Sequence, residues 1–158
     1  MSGKVAAGAV TVLWGAKAGL GAKATRIPVT ANSSYSFGTA LATGDFNGDG
    51  KPDLAVSASS EKVGSVSNAG GVHVLRGGRG GLTGSWFTRA TAGVPGNAAQ
   101  YQMFGLGVRL RDIDRDGDAD LLISGQNGSG NVLLRSAGAS GVTVGAASEV
   151  GVRAEFPQ

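Results

Sequence analysis

The feature that most limits how this chain folds is an acidic, glycine-broken run of nine residues that occurs twice. It reads DFNGDGKPD from Asp45 to Asp53 and DIDRDGDAD from Asp112 to Asp120. In both copies a Phe-Gly pair opens the preceding apolar segment, oxygen-bearing side chains fall at positions 1, 3, 5 and 9, glycine stands at position 6, and a strand-like run follows. Calcium takes about six to eight oxygen ligands at about 2.3–2.6 Å, which a short loop provides when alternate side chains turn inward and one residue turns sharply. Gly50 and Gly117 suit that turn, because glycine reaches positive φ without a Cβ clash.

The spacing assigns ligands residue by residue. Asp45, Asn47 and Asp49 would bind through side chains, Lys51 through its carbonyl, and Asp53 would close the shell. The second loop would use Asp112, Asp114 and Asp116, the carbonyl of Asp118, and Asp120. An EF-hand loop needs a glutamate at position 12. Val56 and Ile123 stand there, so the loop closes at position 9 instead. The competing reading is that Asp, Asn and Gly gather wherever the chain turns. Charge argues against it: the two loops hold eight of the eleven acidic residues, offset within them by Lys51 and Arg115 alone. Carboxylates packed that closely repel one another unless a cation lies among them.

The rest of the chain reads as strand and turn. It has 29 glycines, only 16% charged residues, and no window with sustained apolar spacing at helical period, which favours an all-β fold. At 158 residues a single domain with a real core is expected. The absence of cysteine rules out disulfides and zinc-thiolate sites. No run approaches the length of a membrane-spanning helix, so no membrane insertion is expected. The net charge of +3 hides a split, since outside the loops the basic residues face only Glu61, Glu149 and Glu155. Those Lys and Arg are scattered singly without an aromatic stacking platform, which argues against nucleic acid as a partner.

The order of segments repeats. SFGTALATGD, the first loop, LAVSAS, GVHVLRG and SWFTRATAG are followed by MFGLGVRLRD, the second loop, LLISG, NVLLRS and VTVGAASEVG. Each unit is four short strands with an acidic loop between the first two. AVTVLWGAKAGL from Ala9 to Leu20 aligns with GVHVLRGGRGGL from Gly71 to Leu82, and ATRIPVT follows it, so the chain opens on the second half of a unit. The expected divisions are 1–36 for that half and its linker, 37–93 for the first complete unit, and 94–158 for the second.

Phe-Gly, then DxNxDGxxD or DxDxDGxxD, then Asp-Leu and a short apolar strand, on a period of about sixty residues, resembles the FG-GAP repeat of integrin α-subunit β-propellers and related bacterial proteins. The resemblance implies one four-stranded antiparallel blade per repeat, calcium in the loop between the first two strands, and a recognition surface built from the whole propeller. Two departures stand out. Ser57 to Ser59 and Ser124 to Gln126 replace the Gly-Ala-Pro signature, and two and a half blades cannot close a ring that needs roughly four to eight. The expectation is therefore an excised or engineered partial propeller completed by homo-oligomerisation, its strands in 9–30 pairing with those of a neighbour.

Catalytic chemistry finds little support. The single histidine, His73, occupies an alternating strand position, and neither a nucleophile elbow nor a phosphate loop is present. GGRGG at 77–81 lies between strands and reads as a hairpin turn. Phe37 and Phe104 are repeat-equivalent and are expected to pack between blades, while Trp14, Trp86, Phe87, Tyr35 and Tyr101 could line a sugar site. The leading expectation is a non-catalytic, calcium-binding module for recognition or assembly with a protein or glycan ligand; the alternative is a calcium-stabilised propeller lectin. The opening residues lack the basic region and long apolar stretch of a signal peptide, yet calcium loops are most useful where calcium is plentiful, so an extracellular location is expected, with the signal removed from this sequence.

Overall fold

A computed structural model describes residues 8–27, 36–78 and 82–151. Ten strands are arranged in three antiparallel sheets, and among the described residues there is no helix. The first sheet is a hairpin of β1 (Val10–Ala16) and β2 (Gly19–Ile27). The second, blade 1, runs in spatial order through β3 (Phe37–Gly44), β4 (Asp53–Ala58), β5 (Val72–Arg76) and β6 (Thr83–Phe87). The third, blade 2, contains β7 (Gly107–Arg111), β8 (Asp120–Ser124), β9 (Asn131–Leu134) and β10 (Ser148–Val150) in sequential order. The described residues thus form sheets of two, four and four strands. Parts of three expected segments, 28–30 of ATRIPVT, 79–81 of the glycine-rich turn and 152–158 at the end, lie outside the described residues, as does Tyr35.

Alternation and β-branching make these strands, and burial shows which face each presents. β4 is buried at all six positions, because blade 1 is covered on both faces. Leu54 and Val56 share a core with Val10, Ile27 and Phe37 toward the β1–β2 hairpin, while Ala55 belongs to the core formed with Phe104, Leu121 and Ile123 of blade 2. Phe37 and Phe104 therefore fill the two seams, as their repeat-equivalent positions suggest. The last strand of blade 2 is shorter than VTVGAASEVG implies: Val142 makes only an isolated bridge to Ser136, and regular pairing is confined to Ser148–Val150. Small residues and glycine across 145–147 offer little to hold a longer strand.

The seams repeat in backbone detail. Gly8 forms a parallel bridge with Phe37, and Gly70 forms the same bridge with Phe104. A Cβ on Gly70 would collide with the backbone of Phe104 and of Ser59, and one on Gly8 with the carbonyl of Phe37, so only glycine permits this approach. The β1–β2 hairpin consequently sits on blade 1 as the β5–β6 hairpin sits on blade 2.

Three side chains were not recognised in the sequence as part of these seams. Ser57 donates its hydroxyl to the carbonyl of Gly105, and His73 lies between the rings of Trp86, 4.3 Å away, and Phe37, 5.7 Å away. Burial pushes the His73 imidazole below its ordinary value. The unfolded chain then binds the proton more readily than the folded one, so stability is full above about pH 6.5 and declines as pH falls through that value toward the lower folded-state value. Thermal unfolding at pH 7.5 and 5.5 should show a larger drop for the parent chain than for His73→Gln; equal drops would remove the assignment. Arg89, just after β6, is the third. Its guanidinium is buried, crosses to blade 2 and lies 5.3 Å from the centre of the Phe104 ring.

Candidate metal centre

Each acidic loop joins the first two strands of its blade, and the two loops share part of their internal hydrogen bonding. Position 1 accepts from the amide of position 6: Gly50 N donates to Asp45 Oδ2 at 2.7 Å, and Gly117 N donates to Asp112 Oδ2 at 3.1 Å. Position 5 accepts from position 7, through Lys51 N to Asp49 Oδ1 and Asp118 N to Asp116 Oδ1, each at 2.9 Å. Gly50 and Gly117 have φ of 77° and 100°, the sharp turn expected at position 6. In the second loop the side chains at positions 1, 3 and 5 converge.

In the second loop this convergence is tight. Asp112, Asp114 and Asp116 each offer a carboxylate oxygen, and these oxygens lie within 4.8 Å of one another. Ligands held at about 2.3–2.6 Å from one ion are separated by no more than about 5 Å, so the three carboxylates fit a common hard cation in both donor chemistry and spacing. In the first loop Asn47 takes the place of Asp114, and its Oδ1 accepts from Asp49 N at 3.1 Å. Lys51 Nζ lies 2.7 Å from Asp49 Oδ2, and this contact holds the Asp49 carboxyl below the usual carboxylate range.

The position-9 carboxylates make bonds that the spacing does not reveal. Asp53 and Asp120 are 1% and 0% exposed. Asp53 Oδ2 accepts from Phe46 N at 3.1 Å and Oδ1 from Gly77 N at 2.7 Å. Asp120 Oδ2 accepts from Ile113 N at 3.1 Å and Oδ1 from Ser136 N at 2.9 Å. Each therefore ties its own loop to the segment just after the third strand of its blade. Two oxygens carry about four acceptor sites in all, so these bonds leave room for a metal contact. Burial, opposed by those two backbone amides, raises the Asp53 carboxyl above its ordinary value.

The loops also touch each other. Ala119 N donates to the Asp45 carbonyl at 2.8 Å, and Ser136 Oγ donates to the Phe46 carbonyl at 2.8 Å. Asp118, whose carbonyl was the expected ligand, turns its carboxylate toward Gly48 of the first loop. Burial first, then the nearby Asp116, Asp45 and Asp112 charges, hold that carboxyl above the usual range.

Two arginines in this region escaped the reading of spacing. Arg135, at the end of β9, pairs with Asp114 and occupies one of its oxygens. Arg115 has φ of 66° at position 4, where the first loop has Gly48 at 67°. The left-handed conformation costs a non-glycine residue about 1–2 kcal/mol. Arg115→Gly should therefore raise stability by about 1 kcal/mol, or about 2–4 °C in Tm, when measured in calcium-containing buffer. An unchanged or lower Tm would show that the arginine's charge outweighs its strain.

Comparison with known proteins agrees with this geometry. The FG-GAP repeat family model matches residues 37–75, from the first strand of blade 1 through the first loop and into β5. A phosphatidylinositol-glycan-specific phospholipase D of Rattus norvegicus is 40% identical over 91 residues, which is 58% of this chain and 10% of that protein. The chain thus spans about a tenth of that relative's length. The match to the FG-GAP repeat model covers residues 37–75, and the second blade has the same sequential strand order and the same bond from position 6 to position 1 of its loop.

Proposed function

We propose that this chain is a calcium-stabilised, non-catalytic propeller module that serves recognition or assembly, outside the cell where calcium is abundant. The observation that carries the reading is the approach of the Asp112, Asp114 and Asp116 oxygens within 4.8 Å, in a loop whose fold is duplicated at Asp45 to Asp53. Asp45, Asn47, Asp49 and the Lys51 carbonyl would hold one ion and Asp112, Asp114, Asp116 and the Asp118 carbonyl the other, with Asp53 and Asp120 completing the shells. Bound calcium would neutralise clustered carboxylates and fix the turn between the first two strands of a blade. A structural role also suits the surroundings, since His73, the single histidine, is packed against two aromatic rings.

The second loop offers one more carboxylate ligand than the first, while Arg135 competes for Asp114. Calcium should therefore bind the second loop more tightly, and Arg135→Ala should widen the difference. At calcium near 100-fold above a site's Kd, each occupied loop would stabilise the chain by about 2.7 kcal/mol. Thermal unfolding in millimolar calcium against chelator tests this: a rise in Tm of about 5–10 °C per loop is expected, and no change would overturn the reading.

A further inference from the structure

The surface that stands out beyond the two loops is the seam between the β1–β2 hairpin and blade 1. Blades 1 and 2 each have four strands, but the first sheet has two, and among the described residues the edge of β1 away from β2 has no partner. The paired glycine bridges make β1 the counterpart of β5, so that open edge is the one β4 occupies on β5. The same comparison explains an exposed leucine. Leu41 pairs with Val56 in blade 1 as Val108 pairs with Ile123 in blade 2, yet Leu41 is 50% exposed and Val108 only 8%. Val108 is covered because Ala40 and Ala42 of β3 pack against its core. Among the described residues, Leu41 has no such strand in front of it.

A cavity marks what is missing. Between blades 1 and 2, Phe46, the second residue of the first loop, is 1% exposed in a core with Ala119 and Leu121, and its ring lies against Gly141 in the loop after β9. At the corresponding place between β1 and blade 1 stand Pro52, Leu54 and Leu82, which together with Val12 and Trp14 line a cavity of about 330 Å³. Ile113, the second residue of the other loop, is likewise a large apolar side chain, and it is 45% exposed.

We infer that the open edge of β1, with Leu41 and the adjoining cavity, is the docking site for a blade-type β-hairpin: two antiparallel strands joined by a turn whose second residue is a large apolar side chain. The hairpin pairs with β1 in the manner of β4 on β5, covers Leu41, and places its apolar residue in the cavity. Strand addition supplies backbone hydrogen bonds along the edge, and the cavity gives selectivity. The occupant is a separate hairpin and not one of a folded second copy, whose two loop-bearing hairpins, β3–β4 and β7–β8, are already committed to their own blades. The inference deepens the assembly role proposed above and rests on the blade arrangement; it does not require calcium in either existing loop.

The test places a copy of residues 36–71 directly before Val10, in place of residues 1–9, so that the junction reproduces the passage from Gly71 to Val72. This longer chain should unfold at a Tm higher than the parent's by at least about 5 °C, and hydrogen exchange of the β1 amides should slow by about ten-fold or more. Phe46→Ala in the added copy, or Leu41→Asp in the original segment, should abolish most of the gain, while Leu41→Asp should change the parent's Tm little. Unchanged Tm and unchanged β1 exchange in the longer chain would overturn the inference. So would concentration-dependent protection of β1 in the parent, which would identify a second copy as the occupant. Should the longer chain fail to fold, a peptide of residues 36–60 titrated onto the unmodified chain decides the matter: slowed β1 exchange supports the inference and unchanged exchange overturns it.

Discussion

Asp120→Ala is expected to lower stability by about 3–5 kcal/mol, the largest loss from any single substitution in the acidic loops. The carboxylate is fully buried and both of its oxygens accept backbone amides, one from Ile113 inside the loop and one from Ser136 beyond β9. Removing it leaves two amides without their acceptors, and it detaches the loop from the segment after the third strand of the blade. At about 2–4 °C per kcal/mol for a chain of this size, the fall in Tm is on the order of 10 °C. Asp120→Asn retains one acceptor oxygen and turns an NH₂ group toward the other amide, so its loss should be smaller but still substantial. The distinguishing feature is persistence: because the partners are protein amides, the loss should remain in chelator. If Asp120→Ala matched the parent in chelator, the carboxylate would be a metal ligand and little else.

Arg89 is the second position where a large effect is expected. Its buried guanidinium donates to the carbonyls of Pro95, Ser129 and Gly130 and forms an ion pair with Glu149 at 2.9 Å, joining the segment after β6 to the entry of β9 and to β10. Arg89→Met keeps the apolar stem but leaves those carbonyls without their donor, and a loss of about 3–4 kcal/mol follows. Arg89→Lys should recover less than half of it, since one ammonium cannot reproduce a planar fork that reaches several acceptors. Glu149→Gln should have a small effect, because Glu149 is mostly exposed and solvent screens the pair. A loss for Arg89→Met below about 1 kcal/mol by denaturant or thermal unfolding would show that Arg89 adds little to the hold between the blades.

These two residues illustrate what the sequence discloses and what it withholds. Strand periodicity and the twice-repeated loop were enough to place the sheets, because alternation records which face is buried and Asp-Gly turns record where the chain reverses. The packing roles of Phe37 and Phe104 were legible from their equivalent positions. Arg89 was not, since nothing local distinguishes an arginine that crosses to another sheet from one that points into water. Arg135 pairs with Asp114 from 21 residues away, a separation that carries no periodic signal. Asp53 and Asp120 were chosen as ligands by their place in a nine-residue pattern, and that pattern could not show that burial gives them backbone partners as well. The left-handed backbone at Arg115 is visible in the sequence only in retrospect, as the residue that stands where the other loop has Gly48.

Calorimetric titration of calcium into the chelator-treated chain tests the central claim most directly. Two binding events per chain are expected, one abolished by Asp45→Ala and the tighter one by Asp112→Ala, each with release of heat and loss of no other site. Absence of any binding at millimolar calcium, or binding that neither substitution alters, would contradict the assignment of the duplicated acidic turns as the ion-holding centres of this protein.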